Sequence, residues 1–138
     1  INGDGFVVNG APFNGNRIDC KPLVGSNEEW RVSTQTGSHP MHIHINHFQV
    51  VEFAGREVKP AIWKDCVWVD PADEEAGNPD RYAIVRMHYH KYWGDFVMHC
   101  HVLDHEDQGM MQRVTVVRDP KEADLSRDVP PGGTAAVP

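Results

Sequence analysis

His99-Cys100-His101, with His105 four residues on and Met110 five beyond that, is the stretch on which the reading of this chain turns. Side chains on a strand alternate between faces, so Cys100 points one way and His99 and His101 the other. One short segment therefore offers a thiolate to one site and two imidazoles to a second. His105 and Met110 are spaced to loop back toward Cys100. Two His, one Cys and a weak axial Met make up a blue-copper electron-transfer site. This loop supplies all of it except one His.

The missing His lies upstream, in His39-Pro40-Met41-His42-Ile43-His44. His42 and His44 are two apart and share a strand face. His39 sits beyond a proline that bends the chain, free to face Cys100. Two donor sets result: His39, Cys100, His105 and Met110 on one side, and His42, His44, His99 and His101 on the other. Met111 is a lesser candidate for the axial position, with core packing as its plainer role. Zinc is the rival metal, but a closed four-ligand zinc site leaves half of these residues unused. Zinc also gives no reason to bond a thiolate through the backbone to two imidazoles, whereas electron transfer between metals does.

The flanks are strand-like. Phe6 to Val8 and Arg17 to Asp19 are short and β-prone, with turns at Asn9-Gly10 and Asn14-Gly15. Glu28 to Ser33, Met41 to Phe53, Ala61 to Val69, Tyr82 to His88, Phe96 to His101 and a last edge strand, Arg113 to Arg118, follow. Only Leu103 to Gly109 reads as a short helical turn. Many short strands separated by turn signals predict an all-β sandwich or barrel. The acidic stretch Asp70 to Asp80 reads as a solvated loop, with a calcium site as the alternative. From Asp119 the chain turns Pro-, Gly- and Ala-rich, which predicts one domain over 1–118 and an extended tail over 119–138.

At 138 residues the chain is long enough for one real core. Its net charge of −7 disfavours nucleic acid as a partner. No apolar run is long enough to span a bilayer. The start lacks Met and shows no basic stretch followed by an apolar one, so no signal peptide is expected and a mature or internal piece is. The nine histidines are clustered; His47, His88 and His90 fall outside the two donor sets. His88 and His90 share a strand face and offer a metal-binding pair, with polar surface roles as the plainer reading.

The pattern His-Pro-x-His-x-His followed by His-Cys-His-x3-His-x4-Met resembles the last cupredoxin domain of multicopper oxidases, a family that includes laccases, bilirubin oxidases and cuprous oxidases. The resemblance covers most of residues 1 to 118, including Trp63-Lys64-Asp65. It implies a Greek-key cupredoxin β-sandwich and, residue by residue, type 1 copper ligands at His39, Cys100, His105 and Met110. It also implies a type 2 ligand at His42 and type 3 ligands at His44, His99 and His101. Glu106 resembles the proton-relay carboxylate near the trinuclear cluster; its plainer role is a surface carboxylate. Cys66 departs from the Thr that often follows Trp-x-Asp in the family, and a Cys20–Cys66 disulfide or two free thiols are the alternatives.

The resemblance further implies a trinuclear cluster held by eight His, four from each of two domains. This chain offers four, so a second cupredoxin domain, in the same polypeptide or another chain, is the expected partner. The implied reaction takes electrons one at a time from a small reducing substrate and reduces O2 to water. Electrons would cross Cys100 and either His99 or His101. A Met axial ligand implies a moderate potential. Asp65 and Asp104 are candidates for hydrogen bonds to the ligand imidazoles. The absence of a Met-rich insertion tilts the substrate toward phenols and other organics, and the family implies an extracellular or periplasmic setting. A stand-alone blue-copper electron carrier is the alternative function, and a copper-storage module a weaker one.

Overall fold

The computed structural model describes residues 6–72, 77, 79, 81–123 and 136–137. Among them run nine strands and one short helix: β1 (Asn27–Val32), β2 (His39–Ile43), β3 (Phe48–Phe53), β4 (Arg56–Lys64), β5 (Cys66–Val69), β6 (Ala83–His88), β7 (Gly94–Cys100), α1 (Leu103–Asp107), β8 (Met111–Val116) and β9 (Ala136–Val137). They form two antiparallel sheets, ordered β4-β3-β6-β1-β9 and β5-β2-β7-β8. The chain crosses between the sheets at β1–β2, β2–β3, β4–β5, β5–β6, β6–β7 and β8–β9. This is the all-β sandwich that the strand-rich sequence predicts.

Alternation in the sequence explains the layers. In β6, Ala83, Val85 and Met87 are buried while Arg86 and His88 are exposed. In β2, His39, Met41 and Ile43 are buried while Pro40 and His42 are only partly covered. The inner faces meet in a core that includes Trp30, Phe48, Val50, Val85, Met98 and Val114. Burying each such side chain contributes about 1.5–3 kcal/mol against exposure.

Four expectations change in detail. The run from Met41 to Phe53 divides into β2 and β3, which lie in different sheets. Ile45 sits between them with φ of 68°, a left-handed conformation that ends the strand. The run from Ala61 to Val69 likewise divides at Asp65, with β4 starting back at Arg56. Last, β8 is not a bare edge. Residues 19–24 run parallel beside it, with Thr115 N–H donating to Cys20 O and Val117 N–H to Pro22 O, both at 2.8 Å. Arg17 to Asp19, expected as a strand, leads into this lining segment instead.

That lining settles the cysteines. Cys20 lies beside β8 and Cys66 opens β5, at opposite margins of the same sheet. Four strand spacings of about 4.8 Å separate the two cysteine-bearing segments, far beyond the reach of a disulfide. None of Cys20, Cys66 and Cys100 is in a disulfide. The stretch Asp70 to Asp80 falls in large part outside the described residues. At its start Asp70 accepts from Trp68 Nε1 at 2.7 Å and pairs with Arg81 at 3.3 Å.

Candidate metal centre

Parity along β7 separates the two donor sets. Cys100 lies opposite Met41 in the β2–β7 register, and His99 lies opposite His42. Side chains of directly opposed residues share a face. Cys100 thus faces inward with Met41, and His99 faces outward with His42. His39 shares the inward parity of Met41, so the proline turn is not what aims it; strand alternation is.

On the inner side, Cys100 Sγ lies 3.5 Å from His39 Nδ1 and 3.6 Å from His105 Nδ1, and the two nitrogens are 3.1 Å apart. His39 and Cys100 are buried and His105 half-buried. A carbonyl can only accept, so His39 Nε2, 3.0 Å from Thr36 O, carries the ring proton. The lone pair on Nδ1 is left facing the sulfur. Burial pushes the Cys100 thiol above its ordinary pKa, opposed by a backbone hydrogen bond at Val102 and reinforced by the charge of Glu106. Burial also lowers His39 below the usual histidine value, against the hydrogen bond to Thr36 and with help from His105. Both shifts favour neutral groups until a cation arrives.

The loop that carries His105 is braced from several sides. Cys100 N–H donates to Met110 O, and Met110 N–H donates to His105 O, each at 3.0 Å. These bonds hold the Met110 backbone against Cys100. Met111 pairs with His99, which sends its side chain to the outer face and away from Cys100. Gly109, at φ of 105°, lets the N-terminal loop close in, with a Cβ there meeting Phe13 N and Pro12 Cβ at 3.4 Å. Phe6 stacks on the His105 ring at 4.2 Å and 18°. Sequence reading missed that stack, because no period links Phe6 to a loop a hundred residues away.

On the outer side, His42, His44 and His99 each bring a nitrogen within 4.8 Å of the others. His44 Nε2 and His99 Nε2 are 3.1 Å apart. His42 Nδ1 donates to Asp65 O and His99 Nδ1 to Cys100 O, both at 2.9 Å, leaving Nε2 as the free donor atom of each. Asp65 thus acts through its carbonyl, where a carboxylate was expected. Desolvation lowers His44 below the usual histidine value, aided by the neighbouring His99 and His42 imidazoles and opposed by Glu106. His101 stands beside this trio, its ring 5.4 Å from His42 and 5.6 Å from His99, and like His44 it is exposed. Its N–H donates to Pro40 O at 2.7 Å.

Glu106 on α1 reaches back to this group, with Oε2 3.2 Å from His99 Nδ1. Asp104, the other acidic candidate, contributes its backbone carbonyl to Gln108 at 3.3 Å. His47 lines a shallow cavity with His42, His44 and Asp65. Neither donor group includes His88 or His90, which stack on each other.

The donor chemistry fits copper. Two imidazole nitrogens and a thiol sulfur converging in threes match the trigonal His2Cys arrangement of a blue-copper site. The outer group is nitrogen only. Adjacent residues of one strand feed both.

Comparison with known proteins agrees. Residues 2–120 match the multicopper oxidase family model, and the chain belongs to that family. It is 30% identical to the multicopper oxidase mco of Staphylococcus aureus, over 83% of this chain and 25% of that protein. It is 32% identical to the bilirubin oxidase of Albifimbria verrucaria, over 79% of this chain and 19% of that protein. A laccase-like multi-copper oxidase from Ochrobactrum sp. superposes with a TM-score of 0.68 at 31% identity, covering 83% of this chain and 25% of that one. The sandwich is a cupredoxin fold, and the chain spans about a quarter of the length of these relatives or less. No helix among the described residues is long and apolar enough to cross a membrane.

Proposed function

We propose that this chain is the C-terminal cupredoxin domain of a laccase-like multicopper oxidase. In this reading His39, Cys100, His105 and Met110 hold the type 1 copper. His42 serves the type 2 copper, and His44, His99 and His101 the type 3 pair, as one half of a trinuclear cluster. The observation that carries it is the division of neighbours: Cys100 Sγ and His99 Nε2 belong to separate donor groups on opposite faces of one sheet. Copper bound at both places supplies one-electron oxidation of a reducing substrate and reduction of O2 to water.

The chain's own residues do the rest. The backbone between Cys100 and His99 is a continuous bonded path for electrons between the groups. Thr36, Asp65 and the Cys100 carbonyl fix the tautomers of His39, His42 and His99, so each ring presents a lone pair. Glu106, at His99 Nδ1, is placed to hold and pass a proton beside the outer group. The outer imidazoles number four, and His42, His44 and His101 are partly or fully exposed, so a second cupredoxin domain completes the cluster. Phenols or other small organic reductants are the proposed substrates, and the proposed setting is extracellular or periplasmic.

The test is copper loading with visible spectroscopy and O2 uptake. The chain by itself should show the intense thiolate–copper band and no sustained O2 uptake with a phenol or cuprous ion. The polypeptide or complex that contains both domains should turn over, and Glu106→Gln should slow it and shift its pH profile. Absence of the thiolate band in copper-loaded protein would sink the assignment. A blue chain that exchanges electrons with a redox protein, and gains no O2 uptake from any second domain, would be the stand-alone carrier instead.

A further inference from the structure

The chain contains a third His-x-His pair, and neither donor group uses it. His88 and His90 flank Tyr89, which is fully buried. Residues 83 to 90 alternate between covered and open positions, so the strand parity of β6 continues past its last paired residue. His88 and His90 therefore project from the same outer face, and both are exposed. Their rings lie 5.2 Å apart and 3° from parallel. The corresponding separations are 5.1 Å for His42 and His44 and 5.6 Å for His99 and His101. The spacing that serves the outer donor group recurs at a place with no assigned role.

The pair is also rigidly held. Tyr89 N–H donates to Ser26 O at 3.0 Å, and Gly25 N–H donates to Tyr89 O at 2.7 Å. Tyr89 Oη donates to Met87 Sδ within the core. Asn46 Nδ2 donates to His88 O at 3.2 Å. Backbone on both sides of the pair is pinned, so chelation need only rotate two side chains, and little ordering entropy opposes it.

We propose that His88 and His90 form a separate, open site for an exchangeable divalent transition-metal ion, Cu(II) foremost. Imidazole nitrogens suit first-row ions, and at a given nitrogen site Cu(II) outranks Ni(II) and Zn(II). Two protein ligands leave the remaining positions to water, so the ion stays labile, unlike one in a closed structural site. The site uses none of the donors around the inner thiolate and gives the protein a surface point of copper capture.

Equilibrium dialysis against a Cu(II) salt in a non-coordinating buffer tests it. His88→Ala/His90→Ala should bind one fewer Cu(II) per chain than the parent, with the thiolate–copper band unchanged. Both substitutions are at exposed positions. If the double variant does not fold, His90→Asn should show the same loss, because one imidazole cannot chelate. Equal uptake by the parent and a folded variant overturns the proposal. Since His39 and Cys100 are untouched, this result is separable from the reading of the two main donor groups.

Discussion

On the inner face of the β5-β2-β7-β8 sheet, Cys100 stands among buried Met41, Val67 and Met98. On the outer face, one residue along the same strand, His99 stands among partly exposed imidazoles. The inner set contains sulfur, with His39 and Cys100 buried and His105 half-buried. The outer set is all nitrogen and open on one side. Strand parity alone produces the difference, since adjacent Cα atoms are about 3.8 Å apart. A single extended segment can therefore keep two chemically distinct environments in covalent contact.

The most severe way to break this contrast is to remove the sulfur. Cys100→Ser deletes the one soft donor of the inner set and leaves every outer nitrogen in place. The thiolate–copper band should vanish, and inner-site copper affinity should fall by more than the roughly 100-fold seen when only a supporting hydrogen bond is lost. Cobalt or copper titration of the outer imidazoles should be unchanged. Loss of outer binding as well would mean that the two faces are not independent.

Next in size is the packing behind the sulfur. Met41 is buried and directly opposite Cys100. Met41→Ala should lower stability by about 2–5 kcal/mol, because the cavity relaxes only in part. Urea unfolding of the metal-free chain measures it. A cost under about 1 kcal/mol would show that the inner face has slack, contrary to its closed appearance.

Much of this was legible beforehand. The His-x-His and His-Cys-His spacings give the faces at once, because period two is a property of any strand. The structure likewise joins His39 to Cys100 and His105. What was not legible depended on tertiary neighbours. The β2–β3 break at His44–His47 left no Gly or Pro in the sequence, since Ile45 takes the left-handed conformation itself. The lining of β8 by residues 19–24 joins segments some ninety residues apart, and no local period records it. The carbonyls of Thr36, Asp65 and Cys100 that fix the rings are backbone atoms, which residue identity does not reveal.

Ile45 offers a finer test of how the outer face is set. Its φ of 68° comes with Asn46 N–H donating to His44 O at 2.7 Å, a tight γ-turn of the strained hand. A β-branched residue there costs about 1–2 kcal/mol, and its side chain is 56% exposed. Ile45→Gly relieves that strain while adding about 0.5–1 kcal/mol of chain entropy. Thermal unfolding without metal should show a net gain of up to about 1 kcal/mol. Metal affinity of the outer imidazoles should fall, since a Gly turn no longer fixes His44 against His99, and the inner band should stay as it was. A destabilised variant would mean that the turn is set by neighbours rather than imposed on Ile45.

The smallest effect belongs to the polar end of β7. Asp95 accepts from Arg113 at 2.7 Å and 3.1 Å and from Thr115, and these bonds hold its carboxyl below the ordinary value. The group is half exposed, so solvent screens the pair and its worth is about 0.2–1 kcal/mol. A carboxylate with a lowered folded pKa contributes its stability above the unfolded value of about 4 and loses it as pH falls through the folded one. Asp95→Asn should therefore be slightly less stable than the parent at pH 7, and the gap should close well below pH 4. A gap that persists in acid would assign the effect to packing of the side chain instead. A gap at pH 7 as large as that of Met41→Ala would overturn the idea that the stability of β7 resides on its inner face.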